Sequence, residues 1–257
     1  MTGAGALQLA GFGDPGGALW GAAVAWTDAQ GPDARGLIAG GDRGRGRAEA
    51  LERWRQDGER WSLAGAGLAL EIAPASQRGA EGATVARGAA RGARARLELC
   101  RARARLDGPG AGRELDCDAV LATLEPPAEG GVSGSARLVA GWLARGESFA
   151  LVAVRPPGAA FGEGELIAAA LSDSKGVLEV SEPRLSTTYD GEGRPTRTNL
   201  ELWIGEGEAE YPRRAAGEAS GPAVVLKEGG WRLVALPLAC HSRGLEGAGV
   251  YLLAERL

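Results

Sequence analysis

The stretch Glu182–Ile204, EPRLSTTYDGEGRPTRTNLELWI, reads as two β-strands around a polar turn. Thr198, Leu200, Leu202 and Ile204 alternate with Arg197, Asn199, Glu201 and Trp203. This is the period of two that sends successive side chains to opposite faces of a sheet. Asp190-Gly191-Glu192-Gly193 supplies the turn. The segment therefore predicts a β-hairpin, and its signature recurs along the chain in both directions.

Leu68–Ile72 alternates in the same way, as do Ala136, Leu138, Ala140 and Trp142 against Arg137, Val139 and Gly141. Trp231–Leu238 is a further short apolar run. Turn signals separate the runs at Asp57-Gly58, Asp107-Gly108, Glu163-Gly164, Asp190-Gly191 and Glu228-Gly229-Gly230. About 15 short strands at such spacing predict an antiparallel sandwich or barrel, not a βαβ fold. Arg47–Gln56 is rich in helix formers, but a hairpin is the preferred reading. With Asp57-Gly58 as its turn, Trp54 faces Trp61, a pair worth up to ~1 kcal/mol over Ala–Ala. In Arg94–Leu106 the apolar residues fall on odd positions (Ala95, Leu97, Leu99) and then on even ones (Ala102, Ala104, Leu106). That phase switch predicts a β-bulge near Cys100. Glu125–Ser135, EPPAEGGVSGS, breaks the pattern close to the midpoint and divides the chain into lobes at 1–126 and 134–257. Each side then holds seven or eight strands, enough for a small barrel. A loose internal echo relates Trp26 with Gly36-Leu37-Ile38 to Trp142 with Leu151-Val152-Ala153.

Composition narrows the function classes. The 257 residues carry 29 basic and 33 acidic side chains, a net charge of −4, which argues against a nucleic-acid partner. Arg94–Leu106 lacks the interleaved aromatic residues that a single-strand binder uses. Cys100, Cys117 and Cys240 share no CxxC spacing, and His241 is the one histidine, so neither a disulfide scaffold nor a zinc site is expected. The N-terminus shows no signal-peptide pattern, and the apolar run around Ala18–Trp26 falls short of the ~20 residues that span a bilayer. The expectation is a cytoplasmic protein without an integral membrane segment. Its oligomeric state stays open.

No GxSxG elbow, GxxxxGK[ST] loop or HExxH motif is present. The candidates for chemistry are Tyr189 and Asp190 at the hairpin turn, and Glu201 and Trp203 on one face of its returning strand. If that face lines a cavity, it sets a carboxylate beside an aromatic wall; if it faces water, it is an ordinary solvated face. Tyr211, Arg214 and Glu218 form a further cluster, in which Arg214 and Glu218 share one side of an extended strand. Any imidazole acid–base role falls to His241. Seven tryptophans, Trp142 among them, suit core packing and also the lining of a cavity for an apolar ligand.

Four segments, Glu182–Asp190, Leu200–Trp203, Arg213–Glu218 and Gly244–Tyr251, resemble the acyclic-carotenoid hydratase (hydroxyneurosporene synthase) and AttH-like superfamily. The resemblance lies mainly in residues 135–257. It implies an all-β chain of two tandem antiparallel lipocalin-like barrel or sandwich lobes, and cofactor-free addition of water to an isoprenoid double bond. In that chemistry a carboxylic acid protonates the alkene, and Asp190 or Glu201 is the candidate acid, with His241 as the candidate histidine. The resulting expectation is an apolar, isoprenoid or lipid-like small molecule in a β-barrel cavity, with Trp142, Tyr189, Trp203, Tyr211, Arg214 and Glu218 as ligand-binding residues. No cofactor and no metal are expected. Hydration or cyclisation of that ligand is one reading, binding alone a second, and a structural or interaction protein with filled barrels a third.

Overall fold

The structure, a computed structural model, describes residues 6–27, 34–42, 45–57, 60–65, 67–74, 85–90, 93–106, 113–125, 134–156, 159, 165–174, 176–204 and 212–257. Most of the predicted interlobe linker, the turns at 107–108 and 163–164, and Tyr211 lie outside these residues. The described residues form two antiparallel sheets, and no described helix is long and apolar enough to cross a membrane.

The first sheet contains β1 (Leu7–Gly13), β2 (Leu19–Thr27), β3 (Ala34–Asp42), β4 (Arg45–Ala50) and β5 (Arg53–Asp57). It continues with β6 (Arg60–Gly65), β7 (Leu68–Pro74), β8 (Val85–Ala90), β9 (Ala93–Leu106) and β10 (Arg113–Glu125). Its order is β4-β3-β2-β1-β10-β9-β7-β6-β5, with β8 on the free part of β9. The end strands β4 and β5 meet at a corner where the Leu51 and Glu52 N–H groups donate to Gly36 O at 2.7 Å and Ala64 O at 2.9 Å.

The second sheet contains β11 (Ser135–Leu143), β12 (Ser148–Arg155), β13 (Leu166–Asp173), β14 (Gly176–Tyr189) and β15 (Pro195–Ile204). It continues with β16 (Arg213–Ala219), β17 (Val224–Glu228), β18 (Trp231–Ser242) and β19 (Leu245–Arg256). The hairpin predicted from Glu182–Ile204 is the β14–β15 pair, whose register includes Arg184↔Glu201 and Thr187↔Thr198. The order is β16-β15-β14-β13-β12-β11-β19-β18-β17, and β16 pairs back onto β18, which closes the ring. The protein is thus all-β, with two tandem lipocalin-like lobes.

The lobes repeat one topology. β14 alone does the work of β4 and β5: it pairs with β13 through residues 176–179 and with β15 from Val180 onward, with a register shift between Val180 and Glu182. The long strands β9 and β18 each share one edge between two partners, β8 and β7 in the first lobe and β17 and β16 in the second. The echo seen in the sequence does not follow this repeat, because Trp26 lies on β2 whereas Trp142 lies on β11, the counterpart of β1. The nineteen described strands also exceed the sequence estimate, since short Gly- and Ala-rich strands such as β8 (VARGAA) carry almost no alternation.

Three apolar clusters hold the sheets. One fills the first lobe and one the second, while the largest is the seam between them, with fourteen buried residues from the first sheet and fifteen from the second. This seam explains the phase switch in β9. Ala95, Leu97 and Leu99 pack into the seam, and Cys100, Ala102 and Ala104 into the first lobe. No bulge is present in the pairing with β10: the register runs unbroken from Arg94↔Glu125 to Leu106↔Arg113. β18 makes the same exchange, with Trp231, Leu233 and Ala235 in the seam and Leu236, Leu238 and Cys240 inside the second lobe.

The hairpin at Trp54 and Trp61 is present with a register two residues from the predicted one. Trp54 faces Leu63 and Gln56 faces Trp61. Because a shift of two preserves the face, the indole rings still meet diagonally, edge to face at 5.9 Å. All the arginines of β9 but Arg96 sit opposite acids of β10, as in Arg101↔Asp118 and Arg103↔Asp116, where ion pairs form.

Candidate functional site

The seam faces of β18 and β19 run past the point where the first lobe covers them. On β18, Trp231, Leu233 and Ala235 are buried in the seam, and the next residues on that face are Pro237, Ala239 and His241. On β19 the buried residues Ala254, Leu252 and Val250 lead to Ala248 and Glu246. The two strands pair Ala239↔Ala248 and His241↔Glu246, so these four side chains share one face. Opposite them the β1–β2 turn brings Pro15, Gly16 and Gly17, with Trp20 behind. The result is a cleft of about 480 Å³, walled by that turn, residues 237–239 and 246–249, and Ser220.

Close backbone approach shapes the cleft. A Cβ at Gly247 would collide with the Trp142 carbonyl, and one at Gly249 with the Ala140 carbonyl, so β19 lies tight against β11 only because both positions are glycine. Asp14 fixes the facing turn: its Oδ1 accepts the Leu19 N–H at 2.6 Å, and Gly17 N donates to Asp14 O at 2.8 Å. Trp142 is buried in the seam behind the cleft and does not line it.

The candidates from the sequence divide into three groups. Glu201, Arg214, Glu218 and His241 come together on the outward face of β15, β16 and β18, which continues from the cleft. The register places His241 opposite Ala216, between Arg214 and Glu218 on its two diagonals. Arg214 Nε lies 3.4 Å from Glu201 Oε1, and Arg197 Nη1 3.6 Å from Glu218 Oε1. The opposite face of β15, with Thr198, Leu200 and Leu202, points into the barrel, so Glu201 and Trp203 do not line the barrel interior. Asp190 stands apart in the exposed β14–β15 turn. Its carboxylate accepts the Glu192 and Arg194 N–H groups, each at 2.9 Å, and Arg194 Nε at 2.8 Å. These donors, the Arg194 N–H first, hold its carboxyl below the usual carboxylate range. Tyr189 turns inward instead, its hydroxyl 3.4 Å from that of the buried Tyr251.

CghA, in its structure with Sch210972, is similar over 99% of this chain and 89% of its own, at 12% identity and a TM-score of 0.66. A protein described as an AttH from Nitrosomonas europaea is similar over 97% of this chain and 91% of its own, at 12% identity and a TM-score of 0.61. Both likenesses span the two lobes. The chain has the AttH-like fold. Kievitone hydratase from Nectria haematococca shares it over 98% of this chain and 89% of its own, at 8% identity and a TM-score of 0.51. No protein-family model matches the sequence, and no curated protein does.

Within this AttH-like fold, a group absent from the sequence reading is a polar set inside the second lobe. Arg137 and Glu165, both almost fully buried, form an ion pair at 2.7 Å. Arg213 and Asp173 form another at 3.0 Å. Burial, and then the neighbouring Tyr189, raise the Tyr251 hydroxyl well above the usual tyrosine range. Arg137 does leave a sequence signal: it interrupts SARLVAGWL, a nine-residue strand buried on both faces. The three thiols are buried too, and burial pushes each to about 12. Among the described residues no cluster of His, Cys, Asp and Glu is arranged to hold a metal ion.

Proposed function

We propose that the protein binds a small, largely apolar molecule in the cleft between its lobes, with residues 1–126 and 134–257 acting as the two domains. The cleft carries this reading. Its volume of about 480 Å³ is that of a small-molecule site, and its walls are Trp20, prolines, alanines and glycines with few polar groups. CghA, which has this fold, is known in a structure with Sch210972, and kievitone hydratase is named for a hydration. Both names favour a ligand-handling role over a purely structural one.

The expected chamber inside a barrel is a weaker host. Phe149, Leu151, Leu200, Leu202 and Tyr251 occupy the interior of the second lobe, and a Cβ at Gly141 would overlap the Phe149 ring. Binding without turnover is also the reading that the acids favour. Protonating an alkene needs a carboxyl group kept neutral in dry surroundings. Asp190 is exposed with its carboxyl held low, and Glu201 is half-exposed and paired with Arg214.

Nile red, a neutral apolar dye, tests the assignment. Its fluorescence should rise saturably with the wild-type protein and stay flat with Ala239→Trp, which fills the cleft from an exposed position on β18. Undiminished binding by that variant would place the site elsewhere.

A further inference from the structure

Charge among the lining residues of the cleft is one-sided. Glu246 is the one charged side chain among the described lining residues, and no arginine or lysine joins it. It stands opposite His241 across the β18–β19 pair, and neither side chain makes an ion pair or hydrogen bond to a described residue. This sets Glu246 apart from the other acids of the adjoining outward face. There Glu182 is paired with Arg184, Glu201 with Arg214 and Glu218 with Arg197. These three guanidinium groups are thus committed to other carboxylates, and none of them lines the cleft beside Glu246.

A second carboxylate reinforces the asymmetry from the first lobe. Asp14 spends Oδ1 on the Leu19 N–H, and its Oδ2 lies 3.0 Å from where a Cβ on the cleft-lining Gly16 would sit. An anionic ligand would meet the Glu246 carboxylate and no counter-charge among the lining residues. A neutral ligand would gain only the apolar walls. A cation could place its apolar body against Trp20, Pro237 and Ala248 and its head at Glu246, where a charge-assisted hydrogen bond is stronger than a neutral one. The apolar walls exclude water on one side of that contact and so strengthen it.

We propose that the cleft selects small organic ammonium compounds, an apolar body bearing one protonated amine, with Glu246 as the residue that determines this charge preference. The proposal rests on the cleft being the binding site.

The test uses three probes with one body: n-octylammonium, n-octanol and n-octanoate, each titrated against the Nile red complex. The expected order is octylammonium first, with octanoate weaker by about tenfold or more. In Glu246→Gln, with Nile red retitrated against the variant as its own reference, the ammonium should lose its advantage over the alcohol and the two should displace the dye equally. Glu246 is exposed, so this variant is expected to fold normally. Equal displacement by all three probes in the wild type, or an ammonium preference that survives Glu246→Gln, would overturn the charge assignment and leave the cleft as a binding site. Nile red binding that persists in Ala239→Trp would instead remove the cleft, and the charge assignment with it.

Discussion

The interiors of the two lobes are wound alike and filled differently. In the first lobe the buried residues include Phe12, Leu63, Leu70, Ile72, several alanines and the thiols of Cys100 and Cys117. All the buried polar and charged residues described belong to the second lobe: Ser135, Arg137, Ser172, Asp173, Thr198 and Ser242. An apolar interior is held by area and packing alone and tolerates small rearrangements. A buried charged one is costly to desolvate and holds only while every partner is in place. The second ring, closed by β16 on β18, thus stands as the more exacting lobe, and the first as the apolar body packed against it.

The largest effect should come from breaking the polar interior. Arg137→Met strands Glu165 in a buried site, and urea unfolding should show a loss of about 3–5 kcal/mol. Adding Glu165→Leu should recover most of that loss, because replacing both partners removes the unpaired charge. A single variant as stable as the wild type would erase the contrast between the lobes.

The shared winding can be challenged next. Gly21 on β2 sits under the Phe12 ring, and Gly141 on β11 under Phe149, so an alanine at either position overlaps an aromatic ring. Gly21→Ala and Gly141→Ala should each cost about 1–3 kcal/mol by overpacking. A large difference between them would mean that the glycine–phenylalanine pairs do different work in the two lobes.

Alkaline titration gives a smaller separation. A buried acid whose folded value is raised contributes stability below its unfolded value and loses it as pH rises through the folded one. For Cys100 and Cys117 in the first lobe and Cys240 in the second, each pushed to about 12, and for Tyr251, also raised, stability should therefore fall above about pH 9–10. Tyr251→Phe should remove the tyrosine's part of the second lobe's share and leave that of Cys240, read as a smaller drop in melting temperature between pH 9 and pH 11. The smallest effect belongs to Asp190. Its lowered value means that its contribution is present above about pH 4 and is lost as pH falls below that. The melting-temperature difference between Asp190→Ala and the wild type should be slight at pH 7 and shrink as pH falls below about 4.

The sequence carried the fold further than the site. Alternation in Thr198–Ile204 and a turn at Asp190 are local signals, and both survive unchanged in the β14–β15 hairpin. The phase switch at Cys100 was equally visible, but its cause was not. A strand that leaves one core for another repeats the pattern of a bulge, and only the partner sheet distinguishes them. Arg137 shows a related limit: in an alternating strand it falls on the side expected to face water, whereas β11 is covered on both faces. The cleft was invisible for a different reason. Its walls are glycines, alanines and prolines, common throughout this chain, and Glu246 matters only because the lobes splay apart beside it. Asp190 drew attention as a polar turn residue, and its carboxylate is occupied in building that turn.

The most direct test is a crystal structure of the protein with n-octylammonium. The alkyl chain is expected between Trp20 and Ala248, with its nitrogen within hydrogen-bond distance of the Glu246 carboxylate. A ligand inside the second lobe beside Phe149 and Tyr251, with the cleft empty, would contradict it.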